Sequence, residues 1–379
     1  MSTAESDLAL RVYKWAKRKK LNLATTTMLL EFGLGLPVER PLIPVVSFEE
    51  LTTGIKGRDM RDADAVLSFR FDVSGVLELT SLLGVPNVVI TSSRDRVTGV
   101  EAMAILLKRL RYPITFYDML STFGRSREQL CRIFNHMIQF VYTTWRDHIY
   151  CNKRIVRARI AQYARVIQAK GSPLSNVWAF PDGTKIETCR ISASANGAVG
   201  LNLQKRTYSG HKRMHCLNFQ GLTTPDGLCI HFFGPLEGSR HDVTVLRISQ
   251  LQEYFEANSN IFNGYYIYGD PAYPISKWIV SSYKGNNLDE QRQRFNTAMS
   301  RVRQGVEWNF GRMKNLWGFT TYKMQQKIML SNVGAVVLVA MFMTNCNCCY
   351  HGGNQISSYF GMDPPTLKEY LTSEFSDIV

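Results

Sequence analysis

A chain of 379 residues with 45% hydrophobic content has the composition of a globular protein with a sizeable core and room for two domains. Its net charge of +14 points to a polyanionic partner, nucleic acid first and an anionic membrane surface second. Residues 1–8 are polar and mixed, unlike a secretory leader. The longest apolar run, residues 333–343, is too short to span a bilayer unaided, and eight cysteines without a repeating framework favour reduced thiols in cytosol or nucleus.

Residues 1–61 form a basic N-terminal segment without sustained periodicity. Within it, 10–21 (LRVYKWAKRKKL) reads as a short basic helix. Its Lys17-Arg18-Lys19-Lys20 run is a nuclear-localisation patch, a DNA contact or a solvated helix end. A Pro-rich hinge follows at 37–44 and a capped helical turn at 47–51.

Residues 62–150 read as an all-helical domain. Asp72 is placed to N-cap a helix through Leu77, Leu79 and Leu83, and Thr98 with Glu101 forms a capping box for 100–110. After Pro113 a short helix at 117–123 closes on Gly124. Ser126 then caps a helix at 127–145 with apolar face Leu130, Ile133, Phe134, Met137, Ile138 and Val141. Helix, short helix, Gly turn and capped helix suggest a helix-turn-helix. Arg125, Arg127 and Arg132 lie at the start of the would-be recognition helix, where phosphates and base edges are met. A plain three-helix packing unit is the other reading. Residues 150–171 form a basic helix with Lys153, Arg154, Arg157, Arg159, Arg165 and Lys170, and an apolar side of Ile155, Ile160, Tyr163 and Val166. It either lies along a DNA backbone or is a solvated connector.

From Val177 the pattern turns to strands. VWAFPDGT reads as a short buried strand ending at Asp182-Gly183. Strands at 215–222 and 228–233 flank Thr-Thr-Pro-Asp-Gly, a hairpin turn in which Asp226 is a turn residue. Asp242 opens a helix through Val245, Leu246, Ile248 and Leu251, where an N-cap is its ordinary role. GYYIYGDPAYP is a strand stopped abruptly at Gly269-Asp270-Pro271. Read as one helix, 300–314 (SRVRQGVEWNFGRMK) brings Arg303, Glu307 and Lys314 together. Val302, Val306, Phe310, Met313 and Trp317 then fall on a core-facing stripe. Asp182 and Asp270 at strand mouths, with Glu307 on the later helix, form an all-oxygen set suited to Mg²⁺ or Mn²⁺. Two such ions stabilise the entering and leaving oxygens of a phosphoryl displacement. Residues 333–343 read as a last core helix. The 346–379 tail follows, and its Cys346-x-Cys348-Cys349-x-His351 is too crowded for an ordinary zinc site.

DGT at Asp182, YSGHKRMHCLNFQGLTTPDG from Tyr208, GPLEGSRHD ending at Asp242, GDPAYP at Asp270 and VEWNFGRMK at Glu307 resemble the nuclease domain of PIF/Harbinger-type DDE transposases. The likeness in order and spacing runs over roughly residues 179–316, and 69–145 looks like the helical N-terminal part of that family. The resemblance implies an α+β chain. A helix-turn-helix-like DNA-binding domain precedes an RNase H-like nuclease domain with a mixed sheet, at 151–345. It implies strand cutting and joining with two Mg²⁺ or Mn²⁺ ions on Asp182, Asp270 and Glu307, with Asp242 auxiliary or competing for the second ligand position. Arg303 and Lys314 are implied to orient Glu307 and hold phosphate, and Lys212 and Arg213 to face DNA. Related insertion-sequence transposases carry a Tyr three residues before the Arg, where this chain has Ser300. The expected partners are transposon ends and target DNA, a Myb-like accessory protein and further copies of the chain. No membrane is expected, and the location is nuclear, or cytoplasmic until imported with a partner. A domesticated host nuclease and a non-catalytic DNA-binding protein are the alternatives.

Overall fold

The computed structural model describes residues 60–191, 203–285, 287–328 and 330–372. The expected basic helix at 10–21, with its 17–20 patch, and the segments at 37–44 and 47–51 lie outside the described residues.

The helical part opens with α1 (Asp62–Phe69) and α2 (Val73–Leu82). Asp72 caps α2, its carboxylate accepting from Gly75 N at 2.7 Å. A two-stranded antiparallel hairpin follows, β1 (Val88–Ile90) and β2 (Arg96–Thr98), so this part is not all-helical as expected. Three-residue strands carry too little periodicity to stand out from loop. Next come α3 (Gly99–Arg111), α4 (Leu120–Phe123) and α5 (Arg127–Cys151). Thr98 caps α3, but Glu101 does not reach back to complete the box, because its carboxylate is taken by Arg125. Gly124 stands at φ 62° and closes α4, and Ser126 with Gln129 forms a full capping box on α5. The expected apolar face of α5 is buried throughout.

α6 (Lys153–Ala169) follows α5 after one residue, Asn152, whose side chain caps it. The sheet strands are β3 (Val177–Glu187), β4 (Tyr208–Ser209) after the short helix α7 (Leu203–Thr207), β5 (Met214–Thr223), β6 (Cys229–Glu237), β7 (Tyr266–Gly269) and β8 (Ile279–Ser281). Apart from the two-residue β4 beside β5, their order is β6-β5-β3-β7-β8. β6, β5 and β3 pair antiparallel, and β3, β7 and β8 pair parallel. This mixed sheet is compatible with an RNase H-like domain. Between β6 and β7 lie α8 (Asp242–Ser249), α9 (Leu251–Ala257) and α10 (Ser259–Phe262). β3 is the central strand, and its Val177–Pro181 half is buried at every position, as a strand covered on both faces must be. Helix α6 packs against β3, and α5 and α13 (Val333–Tyr350) against β6.

The stretch expected as one helix from 300 to 314 is interrupted. α11 (Glu290–Arg303) tightens into a 3-10 turn at Gln304–Glu307 before α12 (Trp308–Leu316). The core stripe survives, with Val302, Val306, Phe310, Met313 and Trp317 all buried. Helix α13 is long and apolar enough by length and composition to cross a membrane, yet 94% of it is buried inside the protein. The expected tail begins inside this helix, and α14 (Gln355–Phe360) and α15 (Leu367–Leu371) then dock on the body with capping boxes of their own. One buried cluster runs from Ala65 to Leu371 without a break at the boundary expected between 150 and 151.

Candidate active site

β3 and β7 run parallel, and Ala179 sits beside Ile267. Three residues after each of these stand Asp182, still in β3, and Asp270, just past the end of β7. β7 ends at Gly269, so Asp270 leaves the sheet at once, while β3 continues and pairs Asp182 with Gly221 of β5. Asp182 is therefore mid-strand, not at the strand mouth as expected. Asp182-Gly183 is not a turn either. A Cβ on Gly183 would lie 3.0 Å from Asp242 Oδ1, so the glycine leaves room for that carboxylate to approach the strand. Asp242 is the first residue of α8 and makes no cap bond; His241 holds the N-cap position. Its carboxylate faces the site instead.

Asp182 Oδ1 accepts from Arg303 Nη2 at 3.1 Å, and Arg303 Nη1 lies 3.9 Å from Glu307 Oε1. The Glu307 side chain is 66% exposed, as the 3-10 turn carries it outward. Burial raises the Asp182 carboxyl above the ordinary range. Arg303 opposes this, and the negative charges of Asp270 and Glu307 add to it. Burial also raises Asp242, again with Asp270 adding to it and with Lys185 and His241 opposing. Asp182, Asp242, Asp270 and Glu307 are thus coupled through space by like charge.

As donors, these carboxylates have the chemistry of a hard divalent-cation site. Among the described residues, however, no three His, Cys, Asp or Glu side chains stand close enough to share an ion. Arg303 instead neutralises Asp182 and approaches Glu307. The tail residues Cys346, Cys348 and Cys349 are buried free thiols, as are or partly are the other five cysteines.

Lys314 does not join Glu307 as expected. It lines a groove of about 840 Å³ with Gly183, Lys185, His211, Lys212, Arg240 and Asp242, and its ammonium lies 3.4 Å from Lys185 O. Burial lowers its pKa, with the Asp182 charge opposing. Glu307 borders a separate groove of about 540 Å³ with Arg70, Trp308 and Arg312. The missed members are Lys185, Arg240 and Tyr273. Lys185 donates to Ser209 Oγ at 3.0 Å and to Gly238 O at 3.1 Å. Tyr273 of the GDPAYP stretch is fully buried, and Asp242, Asp182 and Asp270 all act on it.

The cations expected to meet DNA divide. Arg125 is bound to Glu101 at 2.5 and 2.8 Å, and Arg132 to Asp95 at 2.6 and 2.8 Å, so both serve the helical part internally. Arg127 is exposed beside Glu128. On α6, Lys153, Arg154, Arg157 and Arg165 are exposed, as is Lys170 at its C-cap, but Arg159 is turned inward onto Asp226 at 2.8 Å. Asp226 stands in the turn, as expected, but it is fully buried and also accepts from Tyr163 Oη and Thr224 Oγ1. Lys212 and Arg213 are exposed on the turn before β5.

No curated protein and no solved structure matches the chain. Residues 182–345, under half of the chain, match the family model described as DDE superfamily endonuclease. The matched segment begins at Asp182 and contains Asp242, Asp270, Glu307 and Lys314. Endonucleases of this superfamily generally use divalent metal ions and bind DNA. The match supports a DDE transposase family and a transposase- or nuclease-type function for this chain.

Proposed function

We propose that this chain is a Harbinger-type DNA transposase that cuts transposon ends and joins them to target DNA by divalent-metal-dependent phosphoryl transfer. The observation that carries the reading is Asp182 on β3 and Asp270 directly after the end of the parallel neighbour β7, the negative charge of Asp270 acting on Asp182 and Asp242, with Asp242 seated against Gly183 and Glu307 one arginine away. Asp182, Asp270 and Glu307 are the ligands this reading assigns to Mg²⁺ or Mn²⁺. Bound there, the ions supply charge stabilisation for the entering and leaving oxygens of the phosphodiester. Arg303 holds Asp182 in place and releases part of its hold when the carboxylate is needed as a ligand. Lys314, Lys212 and Arg240 border the groove beside Asp242 and draw the flanking phosphates into it.

The exposed cations of α6 and Arg127 extend the DNA contact. Nuclear location, self-association and a Myb-like partner complete the proposal, with end recognition shared between that partner and the helical part. The test is strand cleavage and joining on duplexes carrying candidate transposon ends, with Mg²⁺, Mn²⁺ or EDTA, with and without the partner. Metal-dependent cleavage that disappears in Asp182→Asn supports the reading. Full cleavage in EDTA sinks the metal mechanism, and DNA binding without cleavage under every condition leaves a non-catalytic DNA-binding protein. Cleavage without joining points to a domesticated nuclease.

A further inference from the structure

The groove that Glu307 borders has a volume of about 540 Å³, within the usual range for a small-molecule site. Two arginines line it. Arg70, at the end of α1, donates from Nε to Leu316 O and from Nη2 to Asn315 O, each at 3.2 Å. Arg312 of α12 donates from Nη2 to Asn347 Oδ1 of α13 at 3.0 Å, and its Nε is buried with no hydrogen-bond partner. Both guanidiniums are thus anchored to the framework on one side, and none of the described hydrogen bonds engages the Nη1 of either. Trp308, the residue after Glu307, gives the groove an indole braced perpendicular to the Tyr359 ring, with centroids 5.7 Å apart. Asn315 and Gln355 add two exposed residues whose side-chain amides make no described hydrogen bond.

Anchored cations, an indole and free amides in one groove match the parts of a nucleotide. A guanidinium held in place takes a phosphate through paired N–H donors. An aromatic side chain takes a base of any sequence, and amides meet base edges. The place of the groove decides where that nucleotide comes from. One end is Glu307, so a ligand lying in it continues into the carboxylate site. We propose that the groove is a nucleotide subsite for the strand being cut, holding one unpaired nucleotide beside the phosphodiester at the carboxylates, with its phosphate on Arg70 and Arg312 and its base against Trp308. The inference rests on the reading of the chain as acting on DNA, and no metal ion takes part in it. Arg70 belongs to the helical part, which thereby completes the substrate site of the nuclease body.

The test uses the full-length chain in EDTA, with a duplex of random sequence that ends in a short single-stranded overhang. One overhang thymine at a time is replaced by 5-iodouracil, the complex is irradiated, and the cross-linked tryptic peptides are sequenced. The expected result is a cross-link from one overhang position to Trp308, in the peptide 304–312. Trp308→Leu should bind the overhang duplex on the order of 10-fold more weakly, with binding of the blunt duplex little changed. Arg312→Gln should flatten the salt dependence of overhang binding by about 0.7 of a log–log unit. The cross-link is read on the wild-type chain, so a variant that folds poorly does not remove the test. Cross-links confined to other residues, or equal binding of the overhang duplex by wild type and Trp308→Leu, overturn the inference and leave the DNA reading intact. Loss of the cross-link to free thymidine monophosphate as readily as to unlabelled overhang DNA also overturns it, since the groove then takes a mononucleotide and not the strand. Absence of binding to any DNA overturns the DNA reading itself, and the inference falls with it.

Discussion

Asp182 and Asp242 are two half-sheltered carboxylates with Asp270 beside them, and among the described residues only Arg303 makes a direct ion pair with any of the three. If the proposed metal site is right, Asp182→Asn, Asp270→Asn and Glu307→Gln each remove a ligand. Each should lower cleavage by several kcal/mol of transition-state stabilisation, on the order of 10³-fold or more, with DNA binding kept. Asp242→Asn decides its own role in the same assay: loss equal to the other three makes Asp242 a ligand in place of, or alongside, Asp270. The same substitution has a second, metal-free consequence. The folded Asp242 carboxyl is raised, so its contribution to stability is full below the unfolded value of about 3.9 and is lost as pH rises through the folded value. In EDTA, Asp242→Asn should melt above the wild type at pH 7, and the gap should close as pH falls towards 4. A gap that is absent or reversed at pH 7 removes this account. The four acidic residues were legible in the sequence because each stands beside punctuation: Gly183, the Gly269–Pro271 stop, the start of a helix, and a helical Arg-x3-Glu. Tyr273 was not, because nothing local says that its ring turns back over Gly269. The role of Gly183 was hidden for a similar reason, since Asp242 approaches it from 59 positions away in the chain.

At the scale of elements, several caps and apolar faces were read correctly from local sequence, although the Thr98–Glu101 box and the Asp242 cap did not form. The Ser126 cap and the buried stripe of α5 are examples. The partners of Arg125 and Arg132 are distant in sequence, and so two arginines that looked like a DNA-reading edge proved to be ties. Arg125, just before α5, binds to α3 through Glu101, and Arg132 binds α5 to the hairpin loop through Asp95. The hydrogen bond from Arg132 pulls the Asp95 carboxyl down to about 2. A depressed carboxyl contributes stability above its unfolded value of about 3.9 and loses it as pH falls through the folded value. Arg132→Gln should therefore melt below the wild type by a constant margin from pH 7 to about 5, and the margin should shrink as pH approaches 2. A margin independent of pH down to 2 would show that the pairing is not what stabilises. Arg127→Ala, by contrast, should leave melting unchanged, because Arg127 and its neighbour Glu128 are both largely exposed. If the helical part contacts DNA through this helix, Arg127→Ala should weaken binding and flatten its salt dependence by about one unit of log–log slope. An unchanged slope takes Arg127 out of the interface. The helix at 300–314 shows the opposite limit of legibility. The 3.6-residue period placed the core side chains correctly, but the 3-10 tightening at Gln304–Glu307 lies below what a period can resolve, and it sets where Glu307 points.

At the scale of the molecule, composition and motif order suggested separable modules, whereas the larger of two buried clusters joins residues from Ala65 to Leu371, and a smaller one gathers Val177, Phe180, Val302, Val306 and Phe360. The reason is α13. Its apolar surface is not a stripe but the whole cylinder, so it must be covered on all sides. It is covered by α5 from before the expected boundary, by β6 from the sheet and by α15 from beyond residue 345. Polar atoms repeat the pattern. Asn345 Oδ1 accepts from Cys229 N at 2.9 Å, and its Nδ2 donates to Cys229 O at 2.8 Å and to Tyr370 Oη at 2.9 Å. Asn347 Nδ2 donates to Arg70 O at 2.8 Å, and Tyr350 Oη to Asp72 at 2.6 Å. A fragment of residues 151–345 would thus strip α13 of α5 and α15 and end it five residues short. It would also uncover Phe342, which stacks on Trp145 of α5 and lies against Tyr370 of α15, at about 25 cal/mol per Å² of apolar surface exposed. Such a fragment should be aggregated or lack native tertiary structure, bind a hydrophobic dye and show no metal-dependent cleavage. The chain from residue 60 to residue 372 should instead unfold in one transition, seen alike by far-ultraviolet circular dichroism and tryptophan fluorescence, because Trp145 stacks on Phe342 of α13 and Trp178 sits within the sheet core. Two separated transitions in the longer chain, or a folded and active 151–345 fragment, would show that the nuclease body is independent of the helical part and that the shared core is a contact between two self-sufficient domains.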